Sequence, residues 1–381
     1  MMKTLFSLIL TLLLSISSAF AAKPAPKRVW PSDWHPTEIC NTLTVGPNQF
    51  CQEVVKMDYV STKPKQGTVV LIPGFFQNGA IFDLMPENGI SFARYLMKEK
   101  GLQVYFLHVR GVGNSSVTSH YNLDTLAIND IPTALQYISE KENEKVFVMG
   151  HSQGGITLKA SLSGLDHCGS LTCFNPTTAL ARQQYVRGIL AIGANQSMST
   201  RYHKNSLHFL GEFGWLTHSI LDKTLDYIPA QQLIEKLSCE KNLLGNGTVW
   251  DFLYSTKEVS DDIKQAVYEN TFDGSSVGII TQYADGIDHQ GLRDSSGELF
   301  VDALKNIQIP VGEVAFDLDY FSPPREDYED SFLKLDPKFR NFYQFPSKKY
   351  KVPSQRHEDF MLMPELFSEF SDPVDWLLDQ R

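Results

Sequence analysis

Five short apolar runs punctuate the chain between positions 68 and 316. Thr68-Val69-Val70-Leu71-Ile72 stops at Pro73-Gly74, and Val104-Tyr105-Phe106-Leu107-His108-Val109 stops at Arg110-Gly111. Lys145-Val146-Phe147-Val148-Met149 stops at Gly150, Gly188-Ile189-Leu190-Ala191-Ile192 is a fourth run, and Pro310 to Phe316 is a less uniform fifth. Runs that do not alternate with polar residues predict strands buried on both faces, as in a parallel sheet. Between them apolar residues recur at helical spacing: Phe92, Tyr95 and Leu96 in one stretch, Ile131, Ala134, Leu135 and Ile138 in another. Strands alternating with helices predict an α/β fold with right-handed crossovers, a mostly parallel sheet carrying helices on both faces.

Two regions break this rhythm. At the start, a short basic stretch leads into an apolar run from Leu5 to Ile16, and Ala19-Phe20-Ala21 places small residues where a signal peptidase reads them. A secretory signal over residues 1–21 is expected, and with it a periplasmic, extracellular or lumenal destination. A membrane anchor is the alternative, but the run is short for a hydrocarbon core of ~30 Å. No later segment is long and apolar enough to span a membrane. Residues 22–66 read as an N-terminal extension of short strands and turns packed on the core, which itself comprises 67–195 and 306–381. The second break, 196–305, is rich in aromatics such as Phe213, Trp215, Tyr227 and Trp250, and its pattern is mostly helical. A long insertion in a compact domain suggests a cap or lid, the plainer reading being more core.

Charge and cysteine content narrow the partners. The formal net charge of the 381 residues is −10, with no basic run. Nucleic-acid binding needs a positive field and is not expected. A negative surface gives no electrostatic help toward anionic lipid, so any transient lipid-interface contact falls to the apolar cap. Export permits disulfides. Cys40 with Cys51 and Cys168 with Cys173 are close enough in sequence to close small loops, which would leave Cys239 unpaired, although spacing alone does not fix the pairing. No His or Cys cluster has zinc-ligand spacing, and no metal or organic cofactor is expected.

Candidate chemistry begins at Gly150-His151-Ser152-Gln153-Gly154. A GxSxG pattern arises by chance in roughly one chain in ten of this length. Its setting raises its value: a buried strand precedes it, and Ile156-Thr157-Leu158-Lys159-Ala160 reads as a helix directly after. A sharp strand-to-helix turn of this kind strains the serine and lifts its hydroxyl above the carboxyl end of the sheet, where ligands bind in such folds. The plainer reading is a helix N-cap. Ser152 is therefore the expected nucleophile, in an α/β-hydrolase fold.

A serine hydroxyl needs a base to take its proton. His357 lies after the strand-like Lys349-Tyr350-Lys351-Val352-Pro353 and before the last helix, where this fold's order of serine, acid and histidine places the base. His151 lies inside the turn and is expected to point away from the reacting face. For the acid, Asp317 and Asp319 compete after the fifth run. Asp319, at the loop position just past the strand, is preferred, to hold the imidazole tautomer and stabilise the imidazolium. An oxyanion hole needs two backbone N–H groups. Gln153 would supply one, and the loop after the first run the other, from Phe75 with Phe76 as the alternative.

Together these residues resemble the acid lipase family, the gastric and lysosomal acid lipases. The likeness runs from about residue 68 to the C-terminus. Besides the Gly150–Gly154 turn, Asp130-Ile131-Pro132-Thr133-Ala134 resembles the family's Asp-Leu-Pro-Ala helix start, and Gly274-Ser275-Ser276-Val277 the end of its cap. Ile309-Pro310 through Asp319 resembles the acid-bearing strand and loop, and His357-Glu358-Asp359-Phe360 the family's His-x-Asp-Phe. Carried over motif by motif, the resemblance implies Ser152, Asp319 and His357 as the triad. The chain departs from the family in having Pro73-Gly74 where His-Gly is usual, and in the middle of the cap. A secreted hydrolase of lipid or other hydrophobic carboxylic esters, acting through an acyl-enzyme, is the expectation. Amide, thioester or peptide cleavage on the same scaffold remains open, as does a non-catalytic binding role.

Overall fold

The computed structural model describes residues 27–40, 50–118, 121–198, 227–228, 258–346 and 355–380. The expected leader over 1–21, Cys239, the strand-like stretch 349–353 and most of 196–257 lie outside these residues.

The five apolar runs form five consecutive neighbours of one sheet. In chain order the strands are β1 (Trp34–Cys40), β2 (Cys51–Met57), β3 (Gly67–Ile72), β4 (Leu102–His108), β5 (Val146–His151), β6 (Leu165–Cys168), β7 (Leu171–Phe174), β8 (Val186–Ile192), β9 (Tyr227–Ile228), β10 (Ser275–Ser276), β11 (Val311–Phe316) and β12 (Arg340–Phe345). Eight of them make the main sheet in the order β1-β2-β4-β3-β5-β8-β11-β12. From β4 to β12 every pairing is parallel, while β2 runs antiparallel to β4 and β1 antiparallel to β2. The N-terminal extension thus adds two strands to the sheet edge. Strand β12, whose Arg-Asn-Phe-Tyr-Gln-Phe sequence is half polar, is absent from the sequence-based expectation. It occupies the opposite edge and is only partly buried, so it never needed a continuous apolar run.

Alternate residues of the central strands feed two apolar layers. Val70, Ile72, Val148 and Ile189 face one, and Val69, Leu71, Phe147 and Leu190 the other. Helix α1 (Phe92–Lys100) packs on the second layer through Phe92, Leu96 and Met97. Helices α2 (Ile131–Glu142) and α3 (Gln153–Leu162) cover the first through Ile131, Leu135, Ile138, Ile156 and Leu158. Each large aliphatic side chain removed from water on this scale contributes about 1.5–3 kcal/mol. Asp130, at the start of α2, is fully buried and accepts from the Arg110 backbone N–H at 2.9 Å as well as from its guanidinium. This pair ties the helix start to the turn after β4.

Disulfides join Cys40 to Cys51 and Cys168 to Cys173. The first lies between directly paired residues of β1 and β2, the second across the small β6–β7 hairpin. Among the described residues no helix is long and apolar enough to cross a membrane. Of the region expected as a cap, α4 (Asp261–Asn270) and α5 (Val277–Asp288) are described, and β10 pairs with β9.

One ionic pair lies wholly inside the fold. Lys159 Nζ of α3 is 2.6 Å from Glu313 Oε1 of β11, and both side chains are inaccessible to solvent. Burial pushes the Glu313 carboxyl upward, opposed by the Lys159 charge. Removing one partner strands the other in a low dielectric. Lys159→Met is expected to lower stability to urea by about 3–5 kcal/mol, and Lys159→Met with Glu313→Leu by less than the single change. Wild-type stability of the single variant would show that the pair is not needed.

Candidate active site

The turn between β5 and α3 is fixed by lack of space. Ser152 has φ 50° and ψ −121°, a conformation L residues rarely adopt. Its backbone N–H donates to the Ile192 carbonyl at 2.8 Å, and its carbonyl accepts from the Ile156 N–H at 3.0 Å. A Cβ on Gly150 would lie 2.6 Å from the Gly155 backbone, and one on Gly154 2.5 Å from the Ile72 carbonyl oxygen. Gly155, which falls outside the GxSxG pattern, is as constrained: its Cβ would meet that of Ala194 at 2.6 Å. The half-buried Ser152 side chain therefore projects from a turn the backbone cannot relax.

His357 and Asp319 meet at the same edge of the sheet. His357 Nδ1 lies 2.7 Å from Asp319 Oδ2, with both residues buried. Asp319 Oδ1 accepts from the backbone N–H groups of Phe321 and Ser322 at 2.8 and 2.9 Å. Three donors on one carboxylate fix its orientation. Burial disfavours charge on His357, but Asp319, through its field and hydrogen bond, and Glu358 outweigh it and hold the imidazole above its ordinary value. A glycine seats the pair. Gly193, at φ 56° just past β8, would place a Cβ 3.1 Å from both Asp319 Oδ2 and the His357 ring.

The rival carboxylate has another task. Asp317 Oδ1 accepts from the Gln355 N–H at 2.8 Å and so holds the backbone of the loop bearing His357. Ser152 Oγ and His357 form no hydrogen bond with each other among the described residues.

The loop after β3 lies against the serine. A Cβ on Gly74 would be 3.2 Å from Ser152 Cβ, a tight contact that brings this loop against the serine. Phe75 and Phe76 are half-buried with ring centroids 3.9 Å apart, and Phe76 has φ 62°. Gln153 is the first residue of α3, where backbone N–H groups lack partners within the helix. Phe321 stands 5.2 Å from the His357 ring, and Tyr283 of α5 stands 5.7 Å from Phe75.

Of three polar residues next to this cluster, Gln77 and Glu358 carry no reading from the sequence, and His151 was expected only to point away from the reacting face. His151 is buried, with its ring 4.7 Å from that of His357 and its Nε2 3.0 Å from the His357 carbonyl oxygen. Burial, reinforced by the His357 charge, keeps its pKa well below the ordinary value, so it is a neutral donor to that carbonyl. Glu358 is buried and accepts from Gln77 Nε2 at 2.7 Å. Burial pushes the Glu358 carboxyl up to about 7, against the His357 charge and the Gln77 hydrogen bond, with Asp359 and Asp319 adding to the rise. No sequence pattern gives these residues a partner, although His151 stands within the Gly150–Gly154 turn and Glu358 within the quoted His357–Phe360 segment.

With the geometry in place, comparisons define the relatives. The sequence matches the family described as "Serine aminopeptidase, S33" over residues 63–271, more than half of the chain. A curated relative from Saccharomyces cerevisiae named "Probable alcohol acetyltransferase" is 24% identical over 176 residues, which is 44% of this chain and 49% of the relative. The chain thus spans about half the length of that relative. The fold is similar to a monoacylglycerol lipase from Paleococcus ferrophilus, with TM-score 0.53 and 17% identity, covering 87% of this chain and 99% of the other. It is similar to a soluble variant of monoglyceride lipase from Saccharomyces cerevisiae, with TM-score 0.54 and 14% identity, covering 94% and 99%. An esterase from Exiguobacterium antarcticum gives TM-score 0.53 and 15% identity over 87% and 97%. These likenesses establish the α/β-hydrolase fold.

Two outcomes are expected. Gly154→Ala forces its Cβ against two backbone oxygens and should cost roughly 2 kcal/mol or more in thermal or urea unfolding; unchanged stability would mean the turn yields. The second concerns Glu358. Its pKa is 4.5 when unperturbed and about 7 in the fold, so between these values the unfolded chain releases a proton that the folded chain keeps. Stability is therefore lost as pH rises through that window, by up to about 3 kcal/mol. Glu358→Gln should remove this loss, read as a gain in urea midpoint at pH 8 that shrinks toward pH 5.

Proposed function

The chain belongs to the serine aminopeptidase family of hydrolases, and on that premise we propose that it is a secreted serine hydrolase cleaving carboxylic esters of hydrophobic acyl groups. The observation that carries this reading is one edge of one sheet presenting both a serine held at positive φ and a buried Asp319–His357 pair. In the reaction His357 Nε2 takes the Ser152 proton as Oγ attacks the acyl carbon. The oxyanion is met by the N–H groups of Gln153 and Phe75. The tetrahedral species collapses, the C–O bond to the alcohol breaks, and His357 returns the proton to the departing oxygen. Water, deprotonated by the same histidine, then attacks the acyl-enzyme and releases the acid and Ser152. Asp319 keeps Nδ1 protonated and stabilises the imidazolium throughout.

The acyl preference rests on the acid lipase resemblance and on the aromatic rings that approach the site, Phe75, Phe76, Phe321 and Tyr283. The inserted segment acts as a cap. Its two ends support this, since the Leu292 N–H donates to the Gln196 carbonyl at 3.0 Å, so the chain leaves and re-enters the core at one point. Such a cap can cover an acyl chain and meet a lipid interface. Two disulfides support an oxidising compartment. The curated relative named as an alcohol acetyltransferase favours one second reading, in which an alcohol in place of water resolves the same acyl-enzyme.

A series of chromogenic fatty-acyl esters from short to long tests both. Wild type should hydrolyse the medium or long esters, with kcat falling about a thousand-fold or more in Ser152→Ala. Ester formation with added alcohol, outrunning acid release, would favour the transferase reading. Full activity in Ser152→Ala would overturn both.

A further inference from the structure

The loop after β3, residues 73–79, is held at three places. At its far end the Gly79 N–H donates to His108 Nε2 at 2.9 Å, and His108 Nδ1 lies 2.7 Å from Glu53 Oε2. In its middle, backbone bonds run from Asn78 N–H to the Thr271 carbonyl and from Asp273 N–H to the Phe76 carbonyl, at 2.9 and 2.8 Å. Its third restraint is a side chain. Gln77 Nε2 donates to Glu358 Oε1 at 2.7 Å, across 281 positions of sequence, with both residues almost inaccessible. The same amide lies under the point of closest approach to the nucleophile: a Cβ on Gly74 would be 3.1 Å from Gln77 Oε1 and 3.2 Å from Ser152 Cβ.

Glu358 directly follows His357. The loop carrying both is tied to the nucleophile turn by His151, whose Nε2 reaches the His357 carbonyl oxygen. Phe76, beside Gln77, keeps a positive φ that must be imposed from outside. The groups facing Glu358 are His357, Gln77, Asp359 and Asp319.

We infer that Gln77 and Glu358 are positioning residues whose buried hydrogen bond locks the oxyanion loop to the histidine loop, so that oxyanion donors and base are set as one unit. The role rests on the serine hydrolase reading given above. Neither side chain touches substrate. Losing the bond frees the donors to drift relative to Ser152, which weakens transition-state stabilisation more than ground-state binding.

A double-mutant cycle in the full-length protein tests this, using the best acyl ester and the rate of labelling by a serine-directed fluorophosphonate. Gln77→Leu and Glu358→Ala should each lower kcat by about ten- to a hundred-fold with KM within about two-fold. The double variant should be no worse than the poorer single one, because both remove the same bond. Glu358→Gln, which keeps an acceptor for the Gln77 amide, should recover kcat to within about three-fold. It should also shift the acidic limb of the kcat/KM profile to lower pH, because the lost negative charge no longer helps hold the His357 pKa up. Multiplicative effects in the double variant, wild-type kcat in both single variants, or an effect confined to KM would overturn the proposal while leaving the hydrolase reading intact. Should the alanine and leucine variants fail to fold, an unmoved acidic limb in Glu358→Gln would overturn it. Wild-type protein that is neither labelled nor active on any ester would overturn the hydrolase reading and this role together.

Discussion

Ser152 holds a backbone conformation that costs an L residue about 1–3 kcal/mol, and the carboxyl edge of the sheet is built around keeping it there. Gly150, Gly154 and Gly155 let β5, α3 and the end of β3 approach to distances no Cβ would allow. The apolar layers on both faces of the sheet supply the free energy that holds this geometry. Were the turn to relax, the serine would rejoin the helix as an ordinary N-cap. With the turn fixed, the Gly74 loop and the dyad seat at Gly193 gain defined positions around one hydroxyl.

The second constraint is charge burial. An ionised group inside a fold must be paired or give up its charge. Asp319 solves this with three donors, and Asp130 with the Arg110 backbone and guanidinium. Lys159 and Glu313 neutralise one another deep beneath α3. Among the described residues Glu358 has a single donor, and its carboxyl sits at about 7. It adjoins His357, whose charge opposes the rise.

Three loops from distant parts of the chain form the candidate site, and each is braced by groups outside it. His151 spans from the Ser152 turn to the histidine loop, Gln77 and Glu358 from the loop after β3 to the same loop, and Asp317 holds that loop's backbone through Gln355. Residues 271–273, beyond α4, bond to the loop after β3 as well. Precision in such sites comes from these braces as much as from the reacting side chains.

Sequence by itself determined what depends on neighbours along the chain. Buried parallel strands need uninterrupted apolar runs, so β3, β4, β5, β8 and β11 were legible. A strand meeting a helix through Gly-x-Ser-x-Gly is a short-range steric problem, so the turn at Ser152 was legible too. Only the tertiary structure decided the rest. Asp317 and Asp319 stand two residues apart, and only the seating of the histidine loop shows that Asp319 meets the imidazole while Asp317 meets a backbone N–H. The half-polar β12 needed the sheet edge to become a strand. The partners of His151, Lys159 and Gln77 lie 206, 154 and 281 positions away. Periodicity reports which residues leave water, but which polar groups leave it together is set by where distant segments pack, and that packing fixes their charge and their work.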